Sequence, residues 1–372
     1  MKVVYKFIQV ILRIYLPIFF KKIVVRGIEN VPTSKPVIFA VNHQNTFMDG
    51  ILVALKLKKP VFFLTRSDVF KGSLFLKISK RLNLIPIFRK QDGFDDIAQK
   101  NKGTFSFCIE ELEKGSNVLI FPEGVSEPVH HLFELKKGVA RLALEAESKN
   151  NFQLDLHVVP VAINYENHFV GGSKVFINYT SPIPISSYQQ LCKESESKAR
   201  NKLLLEIKNR LKSNMIHIEG DYTVFRASHW KKIIQKADSD HEIIKALEAL
   251  NYEKKIPLKT EGFNWKKEKY RYNQSSSYIN KLLAFVICLP GFVAFLPTVF
   301  LTRGIVWFVK DESFYLSVVA VSWLFFGLIQ FLFCLLYAWN YFDANIVLLL
   351  VVCLPFFAFL SLRNFQRVVA RD

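Results

Sequence analysis

Apolar and polar positions follow three different patterns along this chain. Toward the C-terminus the apolar runs are long. Ser313–Tyr337 and Ala344–Leu362 contain no charged residue, and each is long enough to cross the ~30 Å hydrocarbon layer of a bilayer as a helix. Tyr337, Trp339 and Tyr341 cluster near the end of the first run, as aromatic belts do. The connection 340–343 lacks Lys and Arg, whereas Arg363, Arg367 and Arg371 follow the second run. The positive-inside rule then puts that connection outside and the C-terminus in the cytoplasm. A third uncharged run, Leu282–Leu301, holds Pro290, Gly291 and Pro297. A single span there would put Arg303 and Lys310 on the far side, so the preferred reading is a re-entrant segment, with a plain span as the alternative.

The N-terminal pattern is different. Val3–Phe20 is apolar except for Lys6, Gln9 and Arg13, which recur at helical spacing. This predicts a helix lying in a membrane interface with its basic stripe toward lipid phosphates, or else the first core helix of a domain. Between Lys21 and Ser187 the runs are short. Val37–Val41, Val61–Leu64, Asn83–Phe88, Val118–Phe121, Val158–Ile163 and Lys174–Tyr179 read as strands. Phe105, Cys108, Ile109 and Leu112 share one face of a helix that Gly115 ends, and Lys137–Glu147 is another helix candidate. Alternating strands and helices predict an α/β fold with a mainly parallel sheet flanked by helices.

Residues 188–280 are more polar. Ala199–Leu211 reads as an amphipathic helix with Leu203, Leu204, Ile207 and Leu211 on one side, and His241–Leu250 as another. Lys266–Ser277 is a polybasic stretch suited to anionic headgroups, or a solvated linker. The expected organisation is an interfacial helix over 1–20, an α/β domain over 21–187, and a polar helical extension with a basic linker over 188–280. A transmembrane region over 281–363 follows, with the re-entrant segment 282–301 and helices 313–337 and 344–362.

Composition sharpens this picture. Hydrophobic residues make up 51% of 372, with 35 Phe, which excludes a disordered or fibrous chain. The formal net charge of +18 calls for an anionic partner. Residues 282–362 hold only Arg303, Lys310, Asp311, Glu312 and Asp343 as ionised groups, so the positive excess lies in the rest of the chain. The apolar block and the lack of any RNA or DNA motif argue against nucleic acid as that partner. Cys108, Cys192, Cys288, Cys334 and Cys353 are scattered without a C-x-x-C, so neither a disulfide framework nor a zinc site is expected. His130–His131 has no acidic or Cys partner at metal spacing.

No G-x-S-x-G elbow, phosphate-binding P-loop or H-E-x-x-H occurs. The candidate chemistry lies in Asn42-His43-Gln-Asn-Thr-Phe-Met-Asp49, directly after the Val37–Val41 strand. A His at the C-terminal end of a parallel strand points into the crevice where such sheets bind ligands. An Asp shortly downstream can accept from one ring nitrogen and leave the other to take a proton from a hydroxyl. Ile85-Pro-Ile-Phe88-Arg89 ends a second strand with a cation, Phe121-Pro122-Glu123-Gly124 ends a third, and Val158-Val-Pro160-Val161 is apolar.

These four segments, in this order and spacing, resemble the four blocks of the glycerolipid acyltransferase family over about residues 21–185. The resemblance implies that His43 is the catalytic base and Asp49 its orienting partner. It implies that Arg89 binds the acceptor's phosphate, that Glu123 and Gly124 line the acceptor pocket, and that the fourth block forms acyl pocket or core. The family motif usually has four residues between His and Asp. Here there are five, as in the branch related to eukaryotic glycerol-3-phosphate and dihydroxyacetone-phosphate acyltransferases. The Arg that often follows F-P-E-G is absent, which brings in Lys136 or Lys137 as a further phosphate contact.

The implied reaction moves an acyl chain from acyl-CoA or acyl carrier protein to a hydroxyl of glycerol 3-phosphate or a lysophospholipid. No metal, no cofactor and no acyl-enzyme are expected. Membrane lipids are the expected partners, with the catalytic domain on the cytoplasmic face. The longer spacing also admits a second reading, a non-catalytic lipid-binding membrane protein with a decayed acyltransferase domain.

Overall fold

The computed structural model describes residues 2–70, 79, 81–89, 96–217, 242, 295–351 and 353. The stretch 266–277, most of 282–301 and of 241–250, and the end of the run 344–362 lie outside these residues.

In chain order the elements are α1 (Lys2–Phe19), β1 (Lys22–Arg26), β2 (Val37–Val41), α2 (Thr46–Leu55), β3 (Val61–Arg66) and β4 (Leu84–Ile87). Then come α3 (Ile97–Glu113), β5 (Asn117–Ile120), α4 (Gly138–Lys149), β6 (His157–Tyr165), β7 (Lys174–Tyr179) and β8 (Ile183–Pro184). Helices α5 (Gln189–Glu194), α6 (Glu196–Asn214), α7 (Leu296–Trp307) and α8 (Tyr315–Tyr341) complete the set.

The strands form one eight-stranded sheet in the order β1-β7-β6-β2-β5-β3-β4, with β8 pairing β6. From β6 to β4 every pairing is parallel, while β7 and β8 run antiparallel to β6. Parallel strands covered on both faces read as continuous apolar runs, which is why β2, β5 and β6 are buried at every position. Val37, Phe39 and Val41 of β2 face a core shared with α1, α2, β7 and the C-terminal helices. Ile38 and Ala40 face the other core, with α3, α4 and α6.

Packing corrects one expectation and adds to another. Helix α6, assigned by composition to an extension beyond residue 187, buries Ala199, Leu203, Ile207 and Leu211 in the second core. Burying such aliphatic side chains is worth about 1.5–3 kcal/mol each, so the α/β unit continues to at least Asn214. Part of the polar stripe of α1 also bonds to the domain, while Lys6 stays exposed. Arg13 Nε donates to Leu55 O at 3.0 Å and Gln9 Nε2 to Ala54 O at 3.4 Å. These are carbonyls at the C-terminal end of α2, left without intrahelical partners. The exposed side of α1 also carries the apolar Phe7, Val10, Ile14 and Ile18.

Among the described residues one helix, Glu312–Tyr341, is long and apolar enough to cross a membrane, with mean hydropathy 2.3. Its first turns pack against the domain through Leu316, Val319, Ala320 and Trp323, whereas Phe325, Leu328, Leu332, Phe333 and Leu336 are exposed. Helix α7 continues past Leu301 to Trp307, beyond the end expected for the interrupted run. It lies along α8, where Thr298 N and Oγ1 donate to Gln330 Oε1 at 3.1 and 2.7 Å. That contact satisfies a polar side chain in the middle of an apolar helix. Residues 344–351 are helical again.

Candidate active site

Because β6, β2, β5, β3 and β4 are parallel, their C-terminal ends lie along one edge of the sheet. Tyr165 ends β6, His43 follows β2, Phe121–Gly124 follow β5, and Arg89 follows β4. Strand order therefore collects residues far apart in sequence into one row, where α/β sheets bind ligands.

Asn42 fixes the start of this row. Its side-chain amide bridges to β6, donating to Ile163 O at 3.0 Å and accepting from Ile163 N at 2.7 Å. The pairing of β2 with β6 is thereby prolonged by a side chain just where His43 leaves the sheet. The His43 ring stacks on Phe121, with centroids 3.7 Å apart and planes within 11°. His43 Nδ1 lies 3.0 Å from Asp49 Oδ2.

The extra residue between His43 and Asp49 is absorbed by the backbone. Thr46 takes a left-handed conformation (φ 35) and opens α2, so Asp49 falls in the first turn of that helix. There its carboxylate meets the positive end of the helix. Asp49 Oδ2 also accepts from Gln44 N at 2.8 Å and Asn45 N at 2.7 Å, and Oδ1 accepts from Tyr165 Oη at 2.6 Å. Four donors converge on a group that is fully buried, a demand that an acceptor-only carboxylate meets. His43 Nδ1 must then carry its hydrogen toward Asp49. In the neutral ring the lone pair is then left on Nε2, which makes no hydrogen bond among the described residues. The His43 side chain keeps 14% of its surface open.

Glu123 braces the other side. It is buried, and its two oxygens accept from His43 N at 2.7 Å and Phe133 N at 2.8 Å. Burial pushes its carboxyl up from the ordinary 4.5 to about 8, against the pull of those two N–H groups and with a further push from Asp49. Both oxygens are engaged with backbone, so Glu123 holds the turn in place. Gly124 sits at φ 69, a left-handed conformation that favours glycine. Arg89 Nη1 reaches across the end of β3 to Gly124 O at 3.1 Å.

The structure thus brings His43, Asp49, Arg89, Glu123 and Gly124 together. Lys137 is exposed at the N-cap of α4, and Lys136 is the lysine whose side chain lies beside the Gly124 turn. Tyr165, Phe121 and Asn42 have functions that sequence reading did not assign. A fully buried Tyr ending the strand next to β2 carries a signal, since its hydroxyl must find a partner. His130 packs on His168 and His131 on His217, each with ring centroids 4.6 Å apart. Among the described residues no cluster of three or more His, Cys, Asp or Glu could hold a metal ion.

Comparison with known proteins places this arrangement. Residues 22–164 match the family model described as Acyltransferase. The chain is 28% identical over 188 residues to the chloroplastic 1-acyl-sn-glycerol-3-phosphate acyltransferase of Arabidopsis thaliana, covering 48% of each. It is 32% identical over 112 residues to glycerol-3-phosphate O-acyltransferase 2 of Saccharomyces cerevisiae, covering 30% of this chain and 15% of that one. The chain spans about half the length of the plant relative. Among solved structures, the 1-acyl-sn-glycerophosphate (LPA) acyltransferase PlsC of Thermotoga maritima aligns with a TM-score of 0.38 and 19% identity, over 56% of this chain and 82% of that one.

Proposed function

We propose a reaction for this chain from its membership of the glycerolipid acyltransferase family, to which residues 22–164 belong: it transfers a fatty acyl group from a thioester, acyl-CoA or acyl carrier protein, to a hydroxyl of glycerol 3-phosphate or a lysophosphatidate. The observation that carries this reading is the His43–Asp49 pair at 3.0 Å beside the Phe121–Gly124 turn. Its Nε2 is left for a substrate.

An acceptor hydroxyl is a poor nucleophile near neutral pH. His43 Nε2 removes its proton as the oxygen attacks the thioester carbonyl carbon, and Asp49 stabilises the imidazolium that forms. When the tetrahedral intermediate collapses, the carbon–sulfur bond breaks and the imidazolium gives its proton to the leaving thiolate. The base is regenerated, and no acyl-enzyme is needed. A positioned base of this kind is worth about 10²–10⁴ in rate. Arg89, steadied by Gly124 O, offers a planar fork to the acceptor's phosphate. Lys136 beside the same turn adds positive charge. Holding the phosphate places the hydroxyl at His43, the entropic part of the rate enhancement.

The membrane reading rests on α8 and α1. Helix α8 has 27 residues, about 40 Å at 1.5 Å per residue. The first turns, to Trp323, pack on the domain. The remainder, 324–341, spans about 27 Å, close to the ~30 Å of hydrocarbon. The outward apolar side of α1 dips into the same interface, so that a lipid acceptor reaches the site without leaving the bilayer. The connection 340–343 after α8 lacks Lys and Arg, which favours a catalytic domain on the cytoplasmic face.

Transfer from labelled acyl-CoA to a panel of glycerol 3-phosphate, dihydroxyacetone phosphate and lysophosphatidate, in membranes carrying the parent or His43→Ala protein, tests the reading. Loss of transfer in His43→Ala is the expected result. Equal transfer by both proteins would favour the non-catalytic lipid-binding reading.

A further inference from the structure

The loop between His43 and Asp49 is held from outside the segment that matches the family. Thr46 Oγ1 donates to Ser313 O at 3.1 Å and lies 3.3 Å from Ser317 Oγ. Met48 N donates to Ser317 Oγ at 3.2 Å, and Ser317 Oγ donates to Asn45 O at 3.3 Å. The Phe47 ring meets Phe314 edge-on, with centroids 5.7 Å apart. Thr46, Ser313 and Ser317 are all buried, so these bonds do not compete with water. Asp311 Oδ1 in turn accepts from Ser313 N and Ser313 Oγ at 3.0 and 2.7 Å, fixing the turn that leads into α8.

The same peptides do two jobs. Asn45 offers its N–H to Asp49 and its C=O to Ser317. Thr46, the residue at positive φ, is clamped on its side chain by Ser313 and on its N–H by Ser126 Oγ at 3.0 Å. The loop is one residue longer than the usual motif, and the first turn of the apolar helix α8 supplies part of its support.

We infer that Ser317 is a positioning residue for the His43–Asp49 pair, and that α8 is part of the active site as well as a candidate span. This rests on the base reading of His43. The segment 22–164 alone then lacks part of what holds its own catalytic loop. The helix that enters the membrane sets the geometry of the dyad.

The test measures kcat and KM for both substrates in full-length protein in membranes. In Ser317→Ala, kcat falls roughly tenfold while both KM values stay, because a misplaced base loses rate and leaves binding intact. Ser317→Thr, which keeps the hydroxyl, restores kcat. Ser322→Ala removes a buried hydroxyl from the same helix away from the loop and leaves kcat at the parent value. Thr46→Val carries the same test from the loop side, should Ser317→Ala fail to accumulate. It lowers kcat alone, and the double variant is no worse than the poorer single one, as expected for two members of one contact. Parent-like kcat in Ser317→Ala or in Thr46→Val, with His43→Ala inactive, overturns this inference and leaves the proposed function standing. Full activity in His43→Ala overturns both.

Discussion

Replacing Asp49 by Asn separates what the carboxylate holds from what its charge does. The three donors on Oδ2 are His43 Nδ1, Gln44 N and Asn45 N, and the donor on Oδ1 is Tyr165 Oη. An Asn that turns its oxygen toward the first three keeps all of them. Its amide then faces Tyr165, whose hydroxyl can rotate to accept. The loop keeps its shape, and the negative charge is gone. With the imidazolium and carboxylate about 4 Å apart, at an effective dielectric of about 20, the lost attraction is about 4 kcal/mol. That is about 10³ in rate. The expected result is a kcat about 10³-fold below the parent with both KM values close to it, read from initial rates of acyl transfer in membranes. Asp49→Ala behaves differently. It strands two buried N–H groups, at about 1–3 kcal/mol each, so that protein also loses stability, seen as a lower denaturation midpoint. An Asp49→Asn protein within tenfold of the parent kcat would refute the electrostatic role and leave Asp49 as a loop brace.

Two further outcomes follow from neighbouring residues. Arg89→Ala should raise KM for the phosphorylated acceptor roughly 10- to 100-fold, the loss of charged hydrogen bonds worth about 1.5–3 kcal/mol, with the thioester KM unchanged. A rise confined to the thioester KM would move Arg89 to the other substrate. Glu123 makes stability depend on pH. Its carboxyl is raised from 4.5 to about 8 in the folded chain, so folded protein holds the proton more tightly than unfolded protein. The stabilisation is complete below about pH 4.5 and is lost as pH climbs through about 8. Urea midpoints in detergent should therefore fall between pH 6 and pH 9 by more in the parent than in Glu123→Gln. Equal slopes would show that Glu123 is ionised throughout.

Much of the fold was legible because a sheet covered on both faces writes itself as uninterrupted apolar runs. The runs at 37–41, 61–64, 83–88, 118–121, 158–163 and 174–179 all became strands, shifted by a few residues at most. The edge strand β1 escaped because Lys22 and Arg26 bracket only three apolar residues, and the two-residue β8 escaped because it is too short to show a pattern. Helix α6 was visible as a helix and misplaced as an extension. It touches the core with one narrow stripe, and its remaining face is charged. On α1 the polar stripe is visible, but nothing local says that the carbonyls of α2 lie beside Gln9 and Arg13. His43, Asp49, Arg89 and Glu123 were named from their blocks. Tyr165, Ser313 and Ser317 could not be, since their bonds to the 43–49 loop span more than a hundred residues of chain.

The two buried carboxyls show why this loop can be longer and still close. Asp49 and Glu123 lie on either side of His43, and two negative charges so near each other would repel. The structure divides the labour. Asp49 accepts from two backbone N–H groups, a ring N–H and a phenol. Glu123 has two backbone N–H groups and a burial that favours its neutral form near neutral pH. Asp49 serves the imidazole, and Glu123 ties the backbone of His43 to that of Phe133. With His43 fixed at its backbone by Glu123 and at its ring by Phe121, the distance to Asp49 depends on residues 44–48 and on what holds them. Any loop length that those residues and their supports can fold to present a carboxylate at Nδ1 will serve. A fifth residue is tolerated because Thr46 and the start of α8 take up the slack.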